Sequence, residues 1–377
     1  MNSKLYTTNL LKTAIITLLT TTTLYAQNKP SRTHIGLIYP LSSNGRHAPL
    51  DSNTFSFNLL AGVSAAEDGF TLAGLTNIIH HTSKGVQIAG LSNHISQNAE
   101  GLRIAGLMNL TGESRGLSVA GLLNKSNDMK GAQAAGFMNL AQNSTGFQVA
   151  GFLNKSKNIS SQIAGFANIA DSVKNVQVAG FFNKSRNTTS QIAGFMNIAK
   201  KVKGVQIAAF MNIADSSDYP IGLINLIKNG EKSIAITVDD NLTTMLTFRS
   251  GGRILYGIIG AGYNFKNDKE VYAFEAGFGA HVYTSQAFRL NLELTAASLS
   301  KNFKNGEYFK SSFKILPAFR VNQHLEVFGG PTFNYVNTNT AEGRKLTEKF
   351  ISKWDNKDNN RLQGIYAGYT AGVQYIF

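Results

Sequence analysis

"GVQIAGLSNHISQNAEGLRIAGLMNLTGESRGLSVAGLLN", residues 85–124, says nearly the same thing three times. Aligned on its Ala-Gly step, the series runs Gly74, Gly90, Gly106, Gly121, Gly136, Gly151, Gly165, Gly180 and Gly194, with Ala209 in the next place. An Asn follows three residues after each: Asn77, Asn93, Asn109, Asn124, Asn139, Asn154, Asn168, Asn183, Asn197 and Asn212. "IGLINL" at 221–226 is a degenerate last copy carrying Asn225. Gln stands three residues before the glycine at 87, 133, 148, 162, 177, 191 and 206, with Arg103 and Ser118 as departures. A fixed period sustained this long dictates a repeat architecture.

Each unit reads as one strand and one turn. "VQIAGFMN" alternates, with Gln, Ala, Phe and Asn on one side and Val, Ile, Gly and Met on the other. Glycine in every unit and β-branched neighbours exclude a helical hairpin. The residue after Asn also alternates: Leu110, Lys125, Leu140, Lys155, Ile169, Lys184, Ile198. The reading is a β-solenoid of 15-residue arms and a 30-residue double period, with one coil per 30 residues. Stacked at the inter-strand spacing, Asn and Gln form amide ladders. The Leu or Phe after Gly supplies the core. A run of stacked Lys125, Lys155 and Lys184 repels itself and belongs at a solvated corner, where it is a weak ligand-binding candidate. The alternative is one large antiparallel barrel with the repeats as membrane strands. Against it, residues 40–218 hold no Tyr or Trp, and membrane strands carry aromatic girdles.

After about residue 230 the pattern changes. Nine Tyr and the single Trp354 lie there. Six long alternating segments, 253–265, 271–285, 288–300, 308–322, 325–339 and 363–377, follow two shorter ones at 232–239 and 242–249. One face of each is apolar, as in Tyr272, Phe274, Ala276, Phe278. The opposite faces hold Glu275, His281, Arg289, Glu293, Lys310, Lys314 and Arg320. Apolar outward and charged inward is the pattern of a small membrane β-barrel. "TAGVQYIF" at 370–377, with Gly372, Tyr375 and Phe377, resembles the C-terminal insertion signal of Gram-negative outer-membrane barrels, which implies the barrel-assembly machinery as a partner. "KLTEKFISKW" at 345–354 is expected to form a short helix in a long loop, with Phe350 and Trp354 one turn apart.

The domain reading is a signal peptide over 1–26, capping strands over 27–70, repeats over 71–230 and a barrel over 231–377. Lys4 and Lys12, an apolar Thr-rich run and Leu24-Tyr25-Ala26 give the order of a cleaved secretory signal. Its removal leaves 34 Lys and Arg against 22 Asp and Glu. That excess favours anionic partners such as lipopolysaccharide or anionic glycan, and export argues against nucleic acid. The absence of cysteine excludes thiolate metal sites and Cys nucleophiles.

No catalytic or cofactor motif appears. "GAGYNF" at 260–265 has no helix after it to hold a phosphate. His80, His81 and His94 lack metal-ligand spacing, so no metal site is expected. His281 with Glu275 or Glu293 forms a charge network or, in a barrel enzyme acting on lipid or glycan, an acid–base pair. The units "GVQIAGLSN", "GFQVAGFLN" and "GVQIAAFMN", with "HIGLIYPLSSNG" and "FSFNLLAGVS" ahead of them, resemble uncharacterised surface-repeat-containing proteins of spirochaetes and Bacteroidota. The resemblance covers about 34–226. It implies a surface location and brings no activity, ligand or site residue. The expectation is a non-enzymatic outer-membrane, cell-surface protein with its outer-membrane lipid bilayer as solvent, a barrel anchor and a repeat scaffold. The alternatives are a large barrel pore and a barrel enzyme.

Overall fold

The computed structural model describes residues 32–266, 271–301, 308–356 and 361–377. The expected signal peptide lies outside the described residues. The chain forms a parallel coil array from Thr33 to Ile227, followed by an antiparallel barrel from Lys232 to Ile376. Solenoid and small barrel are therefore both present. The repeats are not barrel strands, because every pairing between neighbouring repeats is parallel.

The register fixes the coil length. Asn109 pairs with Asn124, which pairs with Asn139, and Gln133 pairs with Gln148. Successive coils are thus offset by one repeat of about 15 residues, not 30. The 30-residue alternation instead distinguishes neighbouring coils: Leu110, Lys125 and Leu140 stack directly on one another. The array also begins earlier than the repeat motif, since Thr33–Ile38 already pairs in parallel with Ser52–Ser64.

Residues 136–150 show how one coil is built. A first arm begins at Met138, with Asn139 pointing inward. The strand Met138–Ala150 continues, but its in–out alternation breaks at the consecutive exposed Gln142 and Asn143, after which a second arm carries Gln148 and Ala150 inward. Phe147 and Val149 alternate with them and face out. At Gly151-Phe152 the chain turns the corner into the next coil, and both residues point outward. Glycine is required there because each corner sits on the backbone below. A Cβ on Gly106 would lie 2.0 Å from the Gly90 carbonyl oxygen.

This geometry reverses one expectation. Phe137, Phe152, Phe166, Phe181, Phe195 and Phe210 form no core. They stack outside the corner, with centroids 4.8–5.1 Å apart and planes within 9° of parallel. Two consecutive outward residues at the corner break the strand alternation, so Phe and Asn do not share a side. The interior is made of Asn, Gln, Ser and Ala, with small apolar clusters such as Met129, Ile159, Ala170 and Val173 at the far end of the coil.

The barrel has eight staves: Lys232–Asp239, Thr243–Gly251, Leu255–Asn264, Tyr272–Thr284, Phe288–Ser300, Tyr308–Arg320, Leu325–Thr338 and Arg361–Ile376. Each pairs antiparallel with the next, and the last closes on the first through Val238↔Ala371 and its neighbours. Closure removes the open edges. Leu246, Phe274, Phe278, Leu294, Phe313, Phe333 and Val373 face outward as the alternation requires. Short turns at 252–254, 285–287 and 321–324 share one rim with both ends of the barrel.

Aromatic groups mark both rims. Tyr283, Phe288 and Phe319 cluster at the short-turn rim, as do His324, Tyr375 and Phe377; Tyr263, Phe265 and Tyr272 cluster at the other. The stave from Tyr272 to Tyr283 spans about 25 Å along the axis at the usual rise and tilt, the height of a transmembrane barrel's apolar band. In the long loop, the helix is Ala341–Leu346, capped by the Thr340 hydroxyl, not the expected 345–354. Residues Ser352–Asn356 form a strand on Arg361–Ile365 instead, because Phe350 turns in to pack edge-on against Tyr366.

The two parts meet on the wall of the barrel. Asn225 donates from its backbone to Ser250 Oγ at 2.9 Å and from its side chain to the Ser250 carbonyl at 3.1 Å. A Cβ on Gly257 would lie 2.1 Å from the Gly222 carbonyl oxygen, so only glycine admits the last coil there.

Candidate functional site

The repeat Asn residues form one continuous buried ladder. Each donates from Nδ2 to Oδ1 of the next, from Asn77 to Asn225, at 2.8–3.0 Å. The same Nδ2 reaches a second-arm carbonyl, as Asn154 does to Ile163 at 2.7 Å. The ladder therefore ties arm to arm as well as coil to coil. Gln133, Gln148, Gln162, Gln177, Gln191 and Gln206 form a second ladder beside it. The expected structural roles of Gly90, Gly106, Gly121, Gly136, Gly151, Gly165, Gly180 and Gly194, and of Asn93 through Asn197, lie in this interior and its corner.

Arg103 and Ser118 interrupt the Gln column, and a second buried charge lies near its start. Arg103 is fully buried, with Nε donating to Ser118 Oγ and Nη2 to Ser114 Oγ, both at 3.0 Å. Its Nη1 has no partner. Burial alone lowers the guanidinium pKa to about 10. At the first coils Glu67 is buried and accepts from Asn53, Ser56 and Thr71. His34 beside it is buried, and burial outweighs Glu67 and Asp51 to hold its pKa below the ordinary value.

Lys125, Lys155 and Lys184 are exposed in one column on the first arm, not at a corner. Leu140 and Ile169 separate them, so the ammonium groups recur every second coil, about 9.6 Å apart. Two charges at that distance in water repel by about 0.4 kcal/mol, against about 0.9 at single-coil spacing. The Lys coils also place Ser126, Ser156 and Ser185 inside, where Gln133, Gln162 and Gln191 donate to them. The double period thus spaces the charges outside and adds hydroxyl acceptors inside.

The second arm presents the opposite surface. Its outward columns, from Phe70 and Leu72 to Tyr219 and Ile221, hold no charged residue. Together with the Phe and Leu corner column they form an apolar strip much longer than single exposed hydrophobics produce.

Inside the barrel every Glu, Lys and Arg named from sequence finds an opposite charge, and His281 does not. Lys314 pairs with Glu275, and Lys310 with Asp239. Arg249 holds Glu293 at 2.9 Å, and Tyr256 donates to the same carboxylate at 3.0 Å. Arg289 forms a bidentate pair with Glu231 at 2.6 and 2.8 Å, while Arg320 approaches Glu326 at 3.5 Å. His281 stacks on Tyr256, with Nδ1 2.7 Å from Asn291 Oδ1, and does not meet Glu275. One lumenal cavity, between Asp239, Glu275, Lys310 and Lys314, has about 20 Å³, room for about one water. Among the described residues no group of three or more His, Asp or Glu is placed to hold a metal ion, and His94 instead contacts Ser92 Oγ.

Gly372, Tyr375 and Phe377 lie on the closing stave. Both aromatic rings face outward at the short-turn rim, and the Phe377 N–H donates to the Lys232 carbonyl. The sequence did not point to Ser250 and Gly257, which receive the last coil; the only trace was glycine and serine at outward positions of an otherwise apolar wall face. Searches of family models, curated proteins and solved structures find no match.

Proposed function

We propose that this chain is an exported outer-membrane protein, a non-enzymatic scaffold whose barrel anchors a rigid solenoid at the membrane. The observation that carries the reading is the barrel wall: an apolar belt between two aromatic rims, around a lumen of paired charges. The cations that hold Asp239, Glu275 and Glu293 argue against an open pore and against acid–base work by these carboxylates. The charge-then-apolar order of residues 1–26 and the outward Tyr375 and Phe377 support export and recognition by a barrel-assembly machinery. Outer-membrane barrels keep short turns on the periplasmic side. The solenoid is then attached on the periplasmic side of the barrel, and the long loops, including 339–356, lie toward the cell surface. The Lys125, Lys155 and Lys184 row suits anionic groups of lipid or glycan.

The test is fractionation of cells expressing the full chain. The reading expects it in the outer-membrane pellet after alkaline carbonate, with a mobility shift on gels when heated. Release into the carbonate supernatant without a heat shift would show that the barrel is not a membrane anchor.

A further inference from the structure

We infer that the solenoid is itself a membrane-inserted fin, with its Phe/Leu corner ridge sunk into the lipid leaflet beside the barrel. The inference rests on the barrel being a membrane anchor. Along Thr243–Gly251, Leu246 faces outward and Thr247 and Arg249 face inward, so Ser250 and its partner Gly257 are outward positions. The last coil therefore lies against the outside of the wall, and the coils behind it extend away from the barrel, alongside the membrane.

The coil is oriented by its two ends. Its Gly222-Leu223 corner touches Gly257, within the wall. Its other end, Ser217-Asp218, touches Gly252 in the short turn at the rim. The corner thus points toward the apolar belt, and the polar far end points away from it. The parallel register carries this orientation down the array, so the stacked rings from Phe210 to Phe137, and Leu122 to Leu75 beyond them, face the bilayer side. The ridge is roughly 45 Å long at strand spacing.

The chemistry changes with depth as an interfacial element requires. For three residues either side of the corner, about 10 Å, outward positions are apolar except for Thr76, Ser92, His94 and the Lys of alternate coils. Lys125, Lys155 and Lys184 sit at that boundary, where an alkyl stem stays in the apolar zone and the ammonium reaches lipid phosphate. Below it lie the Asn, Ser, Asp and Lys turns.

The chain has no cysteine, so single cysteines report position cleanly. Phe166→Cys and Phe195→Cys place a probe on the ridge, Leu294→Cys on the barrel belt and Lys157→Cys at the far end. Each full-length variant is labelled with a polarity-sensitive fluorophore in phosphatidylcholine vesicles containing doxyl-labelled lipid. Quenching at both ridge positions comparable to Leu294→Cys, and several-fold above Lys157→Cys, is the expected result. Quenching at the belt with none at the ridge would overturn the fin and leave the anchor standing. Quenching at neither would overturn both. A ridge shielded from iodide in water yet unquenched by doxyl lipid would show that protein, such as a second copy, covers it, and would also overturn the fin.

Discussion

Arg103→Gln should stabilise the solenoid. Arg103 replaces a ladder glutamine with a buried cation that has no carboxylate partner and one unpaired nitrogen. A guanidinium pKa lowered from 12.5 to about 10 corresponds to about 3 kcal/mol lost on burial. The shorter Gln restores an amide acceptor and donor between Gln87 and Ser118, and gives back about 1 kcal/mol through the space it leaves. The net gain is about 2 kcal/mol. Hydrogen exchange on the full-length protein should show amides of residues 85–124 exchanging roughly 30-fold more slowly. The reciprocal Gln133→Arg should speed exchange in the neighbouring coils by a comparable factor. Unchanged or faster exchange in Arg103→Gln would refute the reasoning, because the cation would then be compensated by a contact the ladder argument omits.

Three further outcomes follow from the same interior and lumen. Gly106→Ala places a methyl 2.0 Å from the Gly90 carbonyl oxygen and should cost about 1–3 kcal/mol, read as faster exchange in the adjoining corners. Lys314→Met alone should destabilise the barrel by about 3–5 kcal/mol, lowering the temperature of its gel shift, while the double variant with Glu275→Leu recovers most of the loss. His34 has a folded pKa below its unfolded value, so the unfolded chain binds the proton more tightly; the first coils should lose protection as pH falls below about 6.5, and His34→Gln should remove that dependence.

Much of this architecture is legible in the sequence, for identifiable reasons. The recurring Gly and Asn positions give the period, and strand alternation gives both faces of every stave after Phe288. Two features were not legible. A Leu/Lys alternation is the same string whether it separates two arms of one coil or two successive coils; only the pairing of Leu110 with Lys125 decides. Alternation also sorts residues onto sides without saying which side is inside. Alternation puts Phe152 and Asn154 on one side, but two consecutive outward residues at the close-packed corner separate them and leave Phe152 out and Asn154 in. Lumenal partners were undetermined as well: Glu275 takes Lys314, its neighbour two staves away, and not His281.

Amides form the solenoid interior and aromatics its exterior. The most direct test compares Asn154→Leu with Phe152→Ser in the full-length protein, by hydrogen exchange across residues 138–168. Asn154→Leu breaks bonds with Asn139, Asn168 and the Ile163 carbonyl, and should cost about 3–5 kcal/mol. Within the protein, Phe152→Ser loses ring stacking on an outer surface, about 1 kcal/mol. Protection should fall far more in Asn154→Leu than in Phe152→Ser. A large loss of protection in Phe152→Ser, with little or none in Asn154→Leu, would contradict that order and place the aromatic column in the core.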